Sequence, residues 1–256
     1  MRIDEFLFVK GYFDSRNKAK TAINKGMIRL DGNKVEKPSL FIEENSSHKI
    51  EVDSVEFFVS LGGYKLSKAL TDFEIRPEGL ICADIGASTG GFTDCLIKNG
   101  ANKVYAVDVN CKQLHDSLKS NEKVIPLEKN VKSLTANDFN DKLDLIVADL
   151  SFISAKSVLN VLDELLDFNK TVILLIKPQF EIGEKRKFKN GIIKSAEIRK
   201  KTCKSVYDCA VNTNLRPIAA TVAPICQDKN VEYLLLLKKD GSGFKSFDKV
   251  FSDSLF

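Results

Sequence analysis

Five short apolar runs punctuate the chain from Leu80 onward: ICADIG (81–86), KVYAVDV (103–109), LDLIVADL (143–150), TVILLIK (171–177) and VEYLLLLK (231–238). Each is nearly continuous in its apolar character rather than alternating, which is how a strand reads when both faces of its sheet are covered. Helical or mixed segments separate the runs, so the pattern predicts an α/β domain with a largely parallel sheet wound with helices.

The first sixty or so residues follow another rhythm. Asp4 is placed to cap a short helix that stops at Gly11, and Ser15 opens SRNKAKTAINKG, with Ala19, Ala22 and Ile23 on one face and Gly26 as the C-terminal stop. Asp31-Gly32 is a turn signal inside MIRLDGNKVEK, and more short strands are expected around Phe41 and from His48 to Val52. The result is a small α+β module. SVEFFVSLGGYKL (54–66) reads as linker and entry to the larger domain, Gly62-Gly63 giving the backbone freedom before Lys65. The expected organisation is residues 1–57, a connection at 58–65, and a second domain at 66–256.

Composition adds little to this until charge is placed along the chain. The 256 residues are 43% hydrophobic and 29% charged, with a net charge of +4. Between Lys10 and Lys37, however, eight Lys/Arg face three acids, and between Glu181 and Lys204 nine face three. Two basic clusters in a near-neutral chain point to a polyanionic partner. No apolar run approaches the roughly 18 residues of a membrane helix, and MRIDEFLF does not read as a signal peptide. The six cysteines form no CxxC pair and there are two histidines, so reduced thiols in a cytoplasmic protein are expected and a metal site is not. A monomer is expected.

The first apolar run leads into ADIGASTGGFTDCL. Asp84 is followed by Gly86, Gly90 and Gly91 where strand gives way to helix, and the next strand ends in Asp108. Glycines admit a ligand close to the backbone, a helix N-terminus offers N–H groups to an anion, and an acid at the second strand can hold two ribose hydroxyls. The spacing Gly86-x-x-x-Gly90-Gly91 is not the G-x-G-x-x-G dinucleotide fingerprint, which disfavours a nicotinamide enzyme. Two further runs end in Asp149 and Lys177, at the carboxyl ends of strands where open α/β sheets bind ligands. Lys65 and Glu232 could complete a group of two bases and two acids. Taken singly, each also admits a structural role: a helix cap for Asp149, a surface position for Lys65, an ordinary ion pair for Glu232.

DIGASTGGF resembles the first motif of Rossmann-like methyltransferases that use S-adenosyl-L-methionine. In those proteins the loop meets the methionine carboxylate and the acid meets the ribose. The resemblance carries cofactor contact onto Asp84, Gly86, Ala87, Ser88, Thr89, Gly90, Gly91, Phe92, Asp108, Val109 and Asp149, and EKNV (128–131) adds Asn130 and Val131 near the adenine. The set Lys65, Asp149, Lys177 and Glu232 resembles the catalytic set of FtsJ-type 2′-O-ribose methyltransferases. There a lysine with its pKa depressed by burial and by a second lysine accepts or orients the proton of a ribose hydroxyl.

SRNKAKTAINKGMIRLDGNKV is similar to the RNA-binding module first described in ribosomal protein S-four. SLGGYKL, DIGASTGGFTDCL, DLSFIS, IKPQFE and NVEYLL resemble successive motifs of the TlyA (haemolysin A) family. That resemblance implies a small RNA-binding domain followed by a Rossmann-like domain with a seven-stranded, mostly parallel sheet. It also implies 2′-O methylation of cytidine in ribosomal RNA. The chain resembles the shorter form of the family, which implies large-subunit (23S) RNA first and small-subunit (16S) RNA second. Arg2, Arg16, Lys18, Lys20, Lys25 and Arg29 are then expected to meet phosphates, with Lys185, Arg186, Lys187 and Lys189 as a second RNA contact. Two other readings stand beside this one: a membrane-active haemolysin, for which no spanning or strongly amphipathic segment is found, and an RNA-binding assembly factor without catalysis.

Overall fold

The computed structural model describes residues 1–13, 15–24, 26–43, 48–52, 58–182, 188, 191–224, 229–239 and 244–256. Of the residues singled out above, Lys25, Lys185, Arg186, Lys187 and Lys189 lie outside them, as does one of the six cysteines, Cys226. The chain divides into two compact units, Met1–Phe57 and Phe58–Phe256.

The first unit opens with α1 (Ile3–Val9) and α2 (Arg16–Asn24), followed by the strands β1 (Ile28–Leu30), β2 (Asn33–Lys34) and β3 (Ile50–Val52). The strands pair antiparallel in the order β2-β1-β3. The Ser15 hydroxyl accepts from the Lys18 amide at 3.2 Å, so it caps α2 as its sequence position suggests. Asp31 and Gly32 both take positive φ (51° and 81°), as a tight hairpin between β1 and β2 requires. Asp4 differs from expectation. The cap position of α1 is Arg2, and Asp4 sits inside the first turn with its side chain fully buried. Ile3, Phe6, Leu7, Phe13, Ala19, Ala22, Ile23 and Ile28 form the core beside it.

The second unit begins with α3 (Leu61–Asp72) and continues through β4 (Ile81–Ile85), α4 (Gly91–Lys98), β5 (Lys103–Asp108), α5 (Asp116–Lys119), β6 (Val124–Glu128) and β7 (Leu145–Ala148). After these come α6 (Leu159–Leu165), β8 (Thr171–Ile176), α7 (Pro178–Glu181), α8 (Ala196–Val211), β9 (Leu215–Val222), β10 (Tyr233–Lys239) and α9 (Phe247–Val250). Among the described residues one sheet runs β6-β5-β4-β7-β8-β10-β9. Its first five strands run parallel to one another, and β10 is antiparallel to both β8 and β9.

Alternation along the central strands divides the core in two. Val172, Leu174 and Ile176 of β8 pack with Leu159 and Leu162 of α6, Cys203 and Val206 of α8, and Phe247 of α9. Ile173 and Leu175 face the other way, onto Leu66 and Ala69 of α3 and Phe92 and Leu96 of α4. Both faces of the sheet are thus covered by helices, which is why its strands read as unbroken apolar runs.

The segment read as a linker entry is helical from Leu61, and Gly62 and Gly63 lie in the first turn of α3. Gly63 is required for packing rather than for freedom: a Cβ there would stand 2.3 Å from the Phe58 side chain. This close approach seats α3 in the second unit and carries Lys65 with it.

Candidate functional site

The strand order sets β4, β7, β8 and β10 side by side, so the residues just beyond their site-facing ends gather at one edge of the sheet. Asp149 follows β7, and its amide bonds to the Ile85 carbonyl at 3.0 Å. Lys177 follows β8; Pro178, without an N–H to continue the ladder, ends the strand and opens α7. Tyr233 of β10 pairs with Ile176 of β8, which brings Glu232 opposite Lys177.

The four polar residues form two ion pairs. Lys177 Nζ lies 2.5 Å from Asp149 Oδ1 and donates to Ser151 Oγ at 2.8 Å. Lys65 Nζ donates to Glu232 Oε2 at 2.5 Å, and Gln179 Nε2 donates to Glu232 Oε1 at 3.4 Å. Lys177 is only 8% exposed. Charges this far from water need a counter-charge, and each lysine has its own carboxylate. The four residues thus form two lysine–carboxylate pairs set side by side by the β8–β10 register, with Gln179 bonded to the Lys65–Glu232 pair.

Beside this group the β4–α4 loop makes a cradle. Gly86 adopts φ +88°, and a Cβ there would lie 2.6 Å from the Asp149 carbonyl oxygen. Gly90, at φ +92°, is the N-cap of α4. Ser88 also takes positive φ, and its amide donates to Asp108 Oδ2 at 2.9 Å. Asp108 Oδ1 accepts from the Asn110 amide at 3.0 Å and from Gln113 at 3.3 Å. Two oxygens with about four acceptor positions still leave capacity for a ligand hydroxyl.

Asp84 has no exposed surface. Its Oδ2 accepts from the Thr93 amide at 2.8 Å and the Thr93 hydroxyl at 2.7 Å, while Oδ1 has no hydrogen-bond partner among the described residues. Burial pushes its carboxyl up to about 7; the Thr93 bonds oppose the rise, and the charges of Asp149 and Asp108 add to it.

Two adjoining cavities open at this edge. One of about 130 Å³ is lined by Ser60, Gly62, Asp84, Ala87, Thr89, Gly91, Phe92 and Ser151. The other, about 600 Å³, is lined by Asp108, Val109, Asn130, Val131, Asp149 and Phe152 among others. Of the cofactor residues singled out from the sequence, all but Gly90 line these cavities, and Lys129, Asn130 and Val131 of EKNV line the larger one. Reading the sequence missed Ser60, Ser151, Gln179 and Phe152. Phe152 holds φ +66°, is 88% exposed, and tilts against Phe180 with ring centres 5.4 Å apart; Lys177 Nζ lies 5.8 Å from the Phe180 ring centre. The one signal for it was its place three residues after Asp149, an aspartate at a strand end.

In the first unit, Arg2 and Arg16 both reach Asp4, and Lys20 Nζ lies 3.9 Å from it. Lys18 lies in the first turns of α2, and Arg29 is in β1 across from Lys34 and Glu51. In the second basic stretch Arg199 is buried and bonded to Tyr233 Oη and three backbone carbonyls, so it is a structural residue and not part of a surface charge cluster.

No helix among the described residues is long and apolar enough to cross a membrane. The FtsJ-like methyltransferase model matches residues 58–239 and the S4 domain model residues 1–46. The chain is 39% identical to hemolysin A of Brachyspira hyodysenteriae, covering 91% of this chain and 98% of that protein. It is 35% identical to the 16S/23S rRNA (cytidine-2'-O)-methyltransferase TlyA of Mycobacterium tuberculosis, covering 93% and 89%. A solved structure from Streptococcus thermophilus, assigned as a hemolysin, superposes with a TM-score of 0.71 at 33% identity, over 98% of this chain and 94% of that one. The chain belongs to the FtsJ-like methyltransferase family, an enzyme with an S4 domain ahead of its Rossmann-like catalytic domain.

Proposed function

We propose that the chain transfers a methyl group from S-adenosyl-L-methionine to the 2′-oxygen of a cytidine ribose in ribosomal RNA. Large-subunit RNA is the first candidate and small-subunit RNA the second, the M. tuberculosis relative being named for both. The observation that carries the reading is the ion pair of buried Lys177 with half-buried Asp149, which lines both cavities of the glycine-lined cradle.

The residues present fit the cofactor. Asp84 Oδ1 is a buried acceptor without a partner, suited to an α-ammonium. The N-terminus of α4 suits a carboxylate, Asp108 suits a ribose diol, and Val109 and Val131 offer apolar surface to a purine. When bound, the cofactor supplies a methyl group activated by a sulfonium. The protein's part is alignment and proton handling. Lys177 Nζ, fixed between Asp149 and Ser151, orients the 2′-hydroxyl, and in passing one of its protons to the Asp149 carboxylate it takes the hydroxyl proton in exchange; Lys65, held by Glu232, supplies a second positive centre. Phe152 and Phe180 give an unstacked nucleobase an aromatic face next to that lysine. Arg2, Arg16, Lys18, Lys20, Lys25 and Arg29 supply phosphate contacts, with the 185–189 lysines and arginine as a second set.

The test is methyl transfer from labelled cofactor to separated ribosomal subunits taken from cells lacking the activity. Label mapped to a ribose 2′-oxygen of large-subunit RNA supports the reading. Label on a base, or on neither subunit, contradicts it.

A further inference from the structure

We propose that Asp4 is a positioning residue for RNA: a buried carboxylate that braces Arg2 and Arg16 into one phosphate-binding surface. The proposal rests on the reading of the N-terminal unit as an RNA-binding module. Its carboxylate is held in two forks at once. Arg2 donates through Nε to Oδ1 at 3.0 Å and through Nη2 to Oδ2 at 3.2 Å. Arg16 donates through Nε to Oδ2 at 3.0 Å and through Nη2 to Oδ1 at 3.4 Å. Lys20 adds a third positive charge at 3.9 Å, and the Glu5 amide donates to Oδ1 at 3.1 Å.

The distribution of exposure gives this cluster its function. The Asp4 side chain is 0% exposed, whereas those of Arg2, Arg16 and Lys20 are 35%, 39% and 41% exposed. One negative charge is hidden, a second, Glu5, is 44% exposed beside Arg16, and three positive charges face outward. A cluster built only for stability would match one carboxylate with one arginine; here the surplus positive charge is kept at the surface. Two guanidiniums side by side repel each other, and the shared carboxylate cancels that repulsion. It also fixes both planes through the Nε–Nη2 edge, which among the described residues leaves Arg2 Nη1 for another acceptor. Arg16 Nη1 has Glu5 Oε2 only at 3.5 Å. A ligand with two or more anionic oxygens, such as a run of RNA backbone phosphate, matches the pair.

The brace and simple through-space electrostatics predict opposite signs. Asp4→Asn raises the net charge by one, so a long-range effect would tighten RNA binding. Loss of the brace weakens it.

The experiment measures binding of the full-length protein to deproteinised large-subunit ribosomal RNA between 50 and 300 mM KCl. Asp4→Asn should weaken binding by about tenfold and reduce the slope of log affinity against log salt by about one to two contacts. S-adenosylmethionine affinity should be unchanged. In an Arg16→Ala background Asp4→Asn should add less than about twofold, since the brace then has one partner fewer to align. Arg16→Lys keeps the charge and leaves Asp4 intact but cannot form the fork, so it should also lose about tenfold even if Asp4→Asn folds poorly. Unchanged or tighter binding by Asp4→Asn, or full affinity in Arg16→Lys, with Arg2→Ala and Arg16→Ala weakened, overturns the brace and keeps the RNA-binding reading. Full affinity in Arg2→Ala and Arg16→Ala as well overturns both.

Discussion

Two aspartates, one in each unit, have no exposed surface, and they are used in opposite ways. Asp4 is surrounded by cations. Burial raises its carboxyl, but the hydrogen bonds and charges of Arg2 and Arg16 outweigh that and hold it below the ordinary value of 3.8. Asp84 has Thr93 on one oxygen, no cation among its described partners, and is raised to about 7. The first carboxylate is satisfied by the fold itself. The second has an oxygen that the fold leaves unmatched, at the wall of a cavity, and burying such a group without a partner is unfavourable. The difference teaches where to look for a ligand: a buried acid with its cations is a brace, and a buried acid without them faces a cationic guest.

The largest effect is expected at the lysine pair beside that cavity. Lys177→Ala should lower the methyl-transfer rate by about 10³-fold, within the range assigned to a positioned proton acceptor, while calorimetry shows cofactor affinity within about twofold of the parent. Cofactor affinity that falls as far as the rate would make Lys177 a binding group instead.

Asp84→Ala should weaken cofactor binding about 100-fold, as expected for loss of a buried charge-assisted hydrogen bond, and calorimetry reads it directly. Equal affinity would end the contrast between the two aspartates.

The pH dependence follows with its sign. With its carboxyl at about 7, Asp84 is protonated and cannot serve an ammonium at lower pH, so affinity should fall roughly tenfold per pH unit below 7 and level off above it. A titration at several pH values checks this, and Asp84→Asn should show a flat profile between pH 5.5 and 7.5.

The smallest effects are on stability, and they should have opposite signs. Asp84 keeps a proton in the folded chain that the unfolded chain loses near 3.8, so its contribution becomes less favourable as pH rises from about 4 to 7. Asp84→Asn should therefore melt higher than the parent at pH 8 without cofactor. Asp4 is lowered, so its contribution is present above 3.8 and lost as the pH falls. Asp4→Asn should be destabilised by about 1–3 kcal/mol at pH 8, with denaturant melts as the readout. Two shifts of the same sign would undo the comparison.

Much of this was legible in the sequence because burial on both faces writes itself as unbroken apolar runs. The five runs are β4, β5, β7, β8 and β10. The outer strands were not read that way. VIPLE (β6) lies at the sheet edge with three of its five residues exposed, and LRPIAATV (β9) is the opposite edge with mixed burial, so neither carries a continuous apolar signal. The site was legible wherever a residue stood at the end of a run, as Asp84, Asp149 and Lys177 do. It was illegible where the partner came from a distant segment. The division of four charges into Lys65–Glu232 and Lys177–Asp149 depends on the β8–β10 register and on the seating of α3 through Gly63 against Phe58. Asp4 was read as a cap because helix starts favour acids, and its contacts with Arg16 are invisible without the packing of α1 on α2.

Whether Asp84 is a carboxylate kept for a cation can be read from a carbon-13 NMR titration of the aspartate carboxyls. One carboxyl, assigned to Asp84 by its loss in Asp84→Asn, should titrate near pH 7 in the free protein and move well below that when S-adenosylmethionine is bound, while Asp4 stays ionised below its ordinary value in both. An Asp84 carboxyl that is ionised down to pH 4 in the free protein, or that does not respond to the cofactor, would contradict it.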